Sequence, residues 1–161
     1  MSLRYSLTKT DQGIYQFKTD SGLEYSVFFT FYYLTDADGN EHLAYSFGFD
    51  RAGIFENDKF QYEYDPKIRN TVIHIIKEFF SKNVDSGLLY FCYQKDDFSR
   101  HRSITFRKWW KQETESGITF QPTSVNYNDK VSHGGILVLT TNPLAQLLID
   151  AFTKHIEETL G

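Results

Sequence analysis

The residues with the clearest capacity for chemistry lie in one segment, Arg100-His101-Arg102-Ser103-Ile104-Thr105-Phe106-Arg107-Lys108-Trp109-Trp110-Lys111. It holds three arginines and two lysines and no acid, inside a chain of net charge −4. At helical spacing Arg100, Arg107 and Lys111 fall along one stripe, and Phe106, Trp109 and Trp110 along another. Such a helix presents cations to an anionic partner, either nucleic acid or an acidic protein surface. The candidate contact residues are Arg100, Arg102, Arg107, Lys108 and Lys111. An ordinary amphipathic helix, its rings on a sheet and its cations solvated or paired with acids such as Glu113, Glu115, Glu157 and Glu158, explains the same pattern.

Other chemistry has weaker signals. The five histidines, His42, His74, His101, His133 and His155, include no pair at the H-x-x-x-H metal spacing. His133 precedes Gly134-Gly135, which reads as a loop before a strand. With His101 it is the candidate acid/base group of a toxin-like ribonuclease. Asp36-Ala37-Asp38-Gly39-Asn40-Glu41 echoes a calcium loop, but an EF-hand needs Gly at its sixth position and Glu at its twelfth. Here those positions hold Glu41 and Phe47, so the segment reads as a hairpin turn. The one cysteine, Cys92, lies in the apolar run Leu88–Tyr93 and reads as a buried, inert thiol. No G-x-S-x-G elbow, Walker A loop or G-x-G-x-x-G fingerprint occurs. No catalytic residue is assigned, and neither metal nor cofactor is expected.

The elements that position these residues follow from periodicity. Turn residues at Asp11-Gln12-Gly13, Asp20-Ser21-Gly22 and Asp36–Asn40 separate strands expected at Arg4–Thr8, Ile14–Thr19, Leu23–Leu34 and His42–Asp50. The third carries apolar residues on both faces, as a central strand covered on both sides does. The fourth alternates Tyr45, Phe47 and Phe49 with Ala44, Ser46 and Gly48, so something packs closely on its small side. Arg51–Asp58 reads as a loop and Phe60–Tyr64 as a short extended segment. Asp65-Pro66 opens a helix, with Asp as N-cap and Pro at N1. Ile68, Val72, Ile75, Ile76 and Phe79 form its buried stripe, ending near Lys82-Asn83. A strand follows over Leu88–Tyr93. Asp96-Asp97 then caps a helix over 98–112. Strands are expected at Ile118–Phe120, resuming at Ser124–Tyr127, and at Gly135–Thr140. Asn142-Pro143 starts a last helix, with Leu144, Leu147, Leu148, Ala151, Phe152 and Ile156 on one face.

The whole reads as a single α+β domain over residues 1–161. Its largely antiparallel, aromatic-rich sheet carries about three helices. Aromatic residues make up 17% of the chain, which favours strands and a core of rings. The acidic balance excludes a globally basic nucleic-acid binder. No run nears the roughly 20 apolar residues that span a bilayer, and no signal peptide is visible, so the expectation is a cytoplasmic protein without a membrane partner.

Asp65-Pro66-Lys67-Ile68, Thr71-Val72-Ile73 with Ile75-Ile76 and Phe79-Phe80, Leu89-Tyr90-Phe91-Cys92, Asp96-Asp97, and Arg100, Arg102, Phe106 and Trp109 resemble an uncharacterised family of small, mostly Bacteroidetes-type bacterial proteins. The resemblance covers residues 65–110. It implies a compact bacterial cytosolic protein and transfers no activity. The order strand, helix, strand, helix, strands also resembles the second half of the N-acetyltransferase fold, which binds acetyl-coenzyme A. That fold has a glycine-containing pyrophosphate loop at the helix after its fourth strand, whereas Asp65–Thr71 has no glycine. Three functions therefore compete. The first is a non-enzymatic binding module acting through residues 100–111. The second is an enzyme of acetyltransferase or ribonuclease type. The third is a structural homodimer covering surplus rings.

Overall fold

The computed structural model describes residues 3–52, 65–92, 99–113, 116–127 and 130–160. The segment Phe60–Tyr64, the cap pair Asp96-Asp97 and most of the loop expected at Arg51–Asp58 lie outside them. In chain order the elements are β1 (Thr8–Lys9), β2 (Tyr15–Lys18), β3 (Glu24–Thr35), β4 (Glu41–Ala52), α1 (Pro66–Lys82), β5 (Gly87–Cys92), α2 (Ser99–Lys111), β6 (Ile118–Tyr127), β7 (Lys130–Leu139) and α3 (Ala145–Leu160). The strands form one seven-stranded sheet in the order β1-β2-β3-β4-β5-β7-β6. Pairing is antiparallel at β1–β2, β2–β3, β5–β7 and β6–β7. It is parallel at β4–β5, from Ala44↔Gly87 to Phe47↔Tyr90. A parallel pair needs a long crossover, and α1 lies in it. The fold is α+β, as expected. No helix among the described residues is long and apolar enough to cross a membrane.

The chain divides into two compact units, residues 1–29 with 48–82 and residues 30–47 with 83–161. Strands β3 and β4 contribute to both.

In the first unit the sequence rules for helices hold closely. The Asp65 carboxylate accepts the Lys67 amide at 2.9 Å, and Pro66 occupies the first helical position, where a missing N–H costs nothing. Val72, Ile75, Ile76 and Phe79 are buried, joined by Thr71, Ile73 and Phe80. Each large apolar side chain buried this way contributes about 1.5–3 kcal/mol. Phe79 stacks on Phe29 at 4.8 Å, and Phe17 stacks between Tyr5 at 5.8 Å and Tyr25 at 5.1 Å. The strand expected at Arg4–Thr8 is reduced to Thr8–Lys9. Its physical reason is Tyr5, whose amide donates to Thr71 Oγ1 at 2.9 Å and so serves α1 instead of a ladder. The close packing expected on the small side of the fourth strand is present at Gly48. A Cβ there would come within 2.6 Å of the Phe28 ring. That strand also runs to Ala52, past the boundary expected at Asp50.

In the second unit α3 packs Leu148, Ala151, Phe152 and Ile156 on Leu34, Ala44, Leu89, Ile136 and Val138. Asn142 caps it, its side-chain oxygen accepting the Leu144 amide at 2.9 Å. Strand β6 is continuous through Pro122, where the sequence suggested a break. It lies at the sheet edge, where a proline removes no ladder bond. Strand β7 begins at Lys130, not Gly135, so His133 is a strand residue in register with Cys92 and Ser124. The glycines that suggested a loop instead mark close approach. A Cβ on Gly134 would stand 2.7 Å from the Tyr90 carbonyl, and one on Gly135 would stand 2.3 Å from the Phe120 ring. Asp36–Asn40 is a hairpin turn: the Asp36 amide donates to the Asn40 carbonyl at 2.9 Å, and Gly39 takes φ 85°.

Candidate functional site

Helix α2 is held on the sheet by its rings, Phe106 at their centre. Phe106, 2% exposed, stacks on Tyr90 at 4.2 Å and on Phe47 at 6.1 Å, and meets Phe120 edge-on at 5.6 Å. Trp109 and Trp110 flank it at 6.1 and 6.3 Å. Trp110 is buried and Trp109 half-buried, which is the ring stripe that the spacing predicts. The indole nitrogens of both are enclosed without an acceptor among the described residues.

The opposite stripe is open. Arg107, Lys108 and Lys111 are exposed, and none has a carboxylate partner among the described residues. Lys108 and Lys111 stand in the last turn, where cations also favour the helix dipole. Arg100 and Arg102 lie on the same helix, but their side chains fall outside the described residues, as do those of His101 and Cys92. Of the acids set against this stripe, Glu157 and Glu158 are exposed on α3, and Glu158 faces Lys154 at 3.9 Å.

Beside α2, the sheet departs from expectation. Strand β3 was expected to be covered on both faces. Phe31 is 67% and Tyr33 60% exposed, with Leu43 of β4 at 39%. The ring of Tyr45 lies 5.2 Å from that of Phe31. Sequence reasoning missed these residues as a surface. Their alternation was visible, but where helix coverage stops along a strand is a tertiary fact.

Several other titratable groups are engaged locally. Asp36 accepts His42 Nε2 at 2.7 Å and the amides of Asp38 and Asn40 at 2.9 Å each. The histidine contact first, then the amides, holds this carboxyl below the usual aspartate range. Burial, with a smaller push from Arg4, lowers His74, which faces Glu78 at 3.9 Å. The Tyr32 hydroxyl meets His155 Nε2. Burial, reinforced by the bond to Asp65, pushes the Tyr5 hydroxyl well above the ordinary tyrosine range. Among the described residues no group of three metal-binding side chains lies together.

A family model matches residues 64–154, more than half of the chain. The chain belongs to the Family of unknown function (DUF6169). The DUF6169 match runs from the cap of α1 through α2 and the β6–β7 hairpin into α3, and the resemblance over residues 65–110 falls inside it. No curated protein and no solved structure matches the chain.

Proposed function

We propose that this protein is a non-enzymatic binding module that engages an anionic partner through α2. Arg107, Lys108 and Lys111 are the contact cations, and Arg100 and Arg102 continue the same helix. The reading includes a cytoplasmic protein of Bacteroidetes-type bacteria acting as one domain. The observation that supports it is charge without counter-charge: exposed cations with no described carboxylate partner, in a chain of net −4. Packing on the sheet accounts for the burial of the ring stripe and does not involve these cations. The test is retention on an immobilised polyanion such as heparin. Arg107→Ala/Lys108→Ala/Lys111→Ala is expected to elute at much lower salt than wild type. The charge-matched Lys18→Ala/Lys82→Ala/Lys154→Ala is expected to elute close to it. Equal loss in both variants would reduce the effect to net charge and end this reading.

A second reading, an enzyme of N-acetyltransferase type, draws support from topology. The succession β4, α1, β5, α2, β6, β7 keeps the order on which that resemblance rests, and β4 and β5 are parallel. The coenzyme's pyrophosphate would belong at the start of α1. There the carboxylate of Asp65 already accepts the Lys67 amide and the Tyr5 hydroxyl. A carboxylate in that position repels phosphate, so the residues present do not fit the coenzyme. Thermal unfolding with and without coenzyme A separates the readings: a rise in Tm that saturates with coenzyme would restore the enzyme, and no rise removes it.

A further inference from the structure

We infer that the sheet face beside α2 is a stacking platform for single-stranded nucleic acid, with Phe31 and Tyr33 as the base-contacting rings and the α2 cations on its phosphates. This rests on the basic-face reading and names the partner.

The geometry begins with strand alternation. Leu34 and Ala44 belong to the core under α3, with Tyr32 packed against it. Successive side chains of a strand point to opposite faces, so Phe31, Tyr33, Leu43, Tyr45 and Phe47 occupy the other face. Phe47 is buried there under Phe106, which places α2 on that face. Coverage ends one alternation further on. Tyr45 is half-buried, and its ring lies against that of Phe31, tilted 37° to it. Phe31 and Tyr33 stand open beyond it. Single exposed apolar residues are common, but neighbouring rings beside a covered part of the same face mark a contact surface.

The chemistry favours single strands. Rings two residues apart on a strand are separated by about 6.7 Å, which suits bases splayed out of a stack and not bases held in a duplex. An aromatic face accepts any base, and neighbouring cations supply the backbone contact. The charge around the rings is uneven. Asp38 and Glu41, both exposed, lie at the hairpin end beyond Tyr33 and Leu43 and repel phosphates there. The backbone therefore runs from Phe31 toward α2. A second copy of the chain is the weaker occupant. At roughly 150–250 Å² for a large aromatic side chain, Phe31, Tyr33 and part of Leu43 fall well short of the about 800 Å² per partner of a standard interface.

The experiment is fluorescence anisotropy with short labelled RNA and DNA single strands and their duplexes, over a range of salt. Wild type is compared with Phe31→Ala/Tyr33→Ala, with Phe31→Leu/Tyr33→Leu, which keeps apolar bulk without a stacking face, and with the α2 triple variant. Single strands are expected to bind more tightly than duplexes. Both ring variants are expected to weaken single-strand binding at least about 25-fold, roughly fivefold per ring, with unchanged heparin retention. The α2 variant is expected to flatten the logarithmic salt slope by about 2. Single-strand binding that survives both ring changes, or duplex binding of equal strength, overturns the platform and leaves the basic face standing. The same holds if wild type binds heparin or an acidic protein but no single strand. A wild-type dimer that becomes monomeric in the ring variants also overturns it, because a second copy then covers the rings. Loss of heparin retention specificity overturns the basic face itself.

Discussion

Helices α1 and α2 are both amphipathic and both lie on rings, yet their polar sides are treated oppositely. Around α1 the polar groups are stitched down. Asp65 takes the Lys67 amide and the Tyr5 hydroxyl, Tyr15 donates to Glu78 at 3.1 Å, Lys82 meets the same carboxylate at 3.3 Å, and Lys67 meets Asp20 at 2.9 Å. On α2 the rings around Phe106 fix the helix, and Arg107, Lys108 and Lys111 have no carboxylate partner among the described residues. A helix whose polar side is consumed by its own fold serves stability. A helix anchored on one side and left charged on the other can lose those charges without unfolding.

The largest effect that sharpens this contrast is at the anchor. Phe106→Ala is expected to cost about 3–5 kcal/mol in urea or guanidinium unfolding, because its ring touches Phe47, Tyr90 and Phe120 and none can refill the space. Next is the α1 cap: Asp65→Ala should lose about 0.5–2 kcal/mol, since the Lys67 amide and the Tyr5 hydroxyl both lose an acceptor. The smallest is the α2 triple variant, whose three solvent-exposed changes together are expected to shift stability by less than about 0.5 kcal/mol. A loss as large as that of Asp65→Ala would erase the contrast, and the α2 cations would then belong to the fold.

The Asp36 turn gives a pH test of the same idea, that polar groups consumed by the fold carry stability. Its carboxyl is held below the ordinary range, so the stabilisation is present above the unfolded aspartate value of about 3.9 and is lost as pH falls through the lowered one. Asp36→Asn is therefore expected to lower Tm at neutral pH. The difference from wild type should close as the solution is acidified. A gap that persists below that window would mean that the carboxylate charge does not carry the effect.

How far the sequence announces these features depends on whether the deciding interaction is local. The Asp65-Pro66 cap, the Ile68–Phe79 stripe apart from its half-buried first member, the Asn142 cap and the α2 ring stripe are all set within a few residues, and each was legible. Tyr5 leaving the sheet for Thr71 is a long-range exchange that strand periodicity cannot register. His133-Gly134-Gly135 misled because glycine pairs signal turns. Their cause here is the Tyr90 carbonyl and the Phe120 ring, which come from other strands. Pro122 misled because only the sheet order reveals an edge. The basic residues of the candidate site were legible as a type. The open rings at Phe31 and Tyr33 were not, since exposure depends on where α2 ends its coverage.

The long β6–β7 hairpin also sets the order in which the second unit assembles. Tyr127 faces Lys130 and the register then closes outward to Ile118 and Leu139, so each new pair adds little loop entropy. Pairing Ala44 with Gly87 must instead close a loop that contains all of α1. We expect the hairpin to form early, β5 to join it through β7, and β4 to dock late. Destabilising changes in the hairpin should then slow folding, while those at Ala44 should chiefly speed unfolding. The parallel pair of β4 and β5 would be the last part of this unit to form and the first to open.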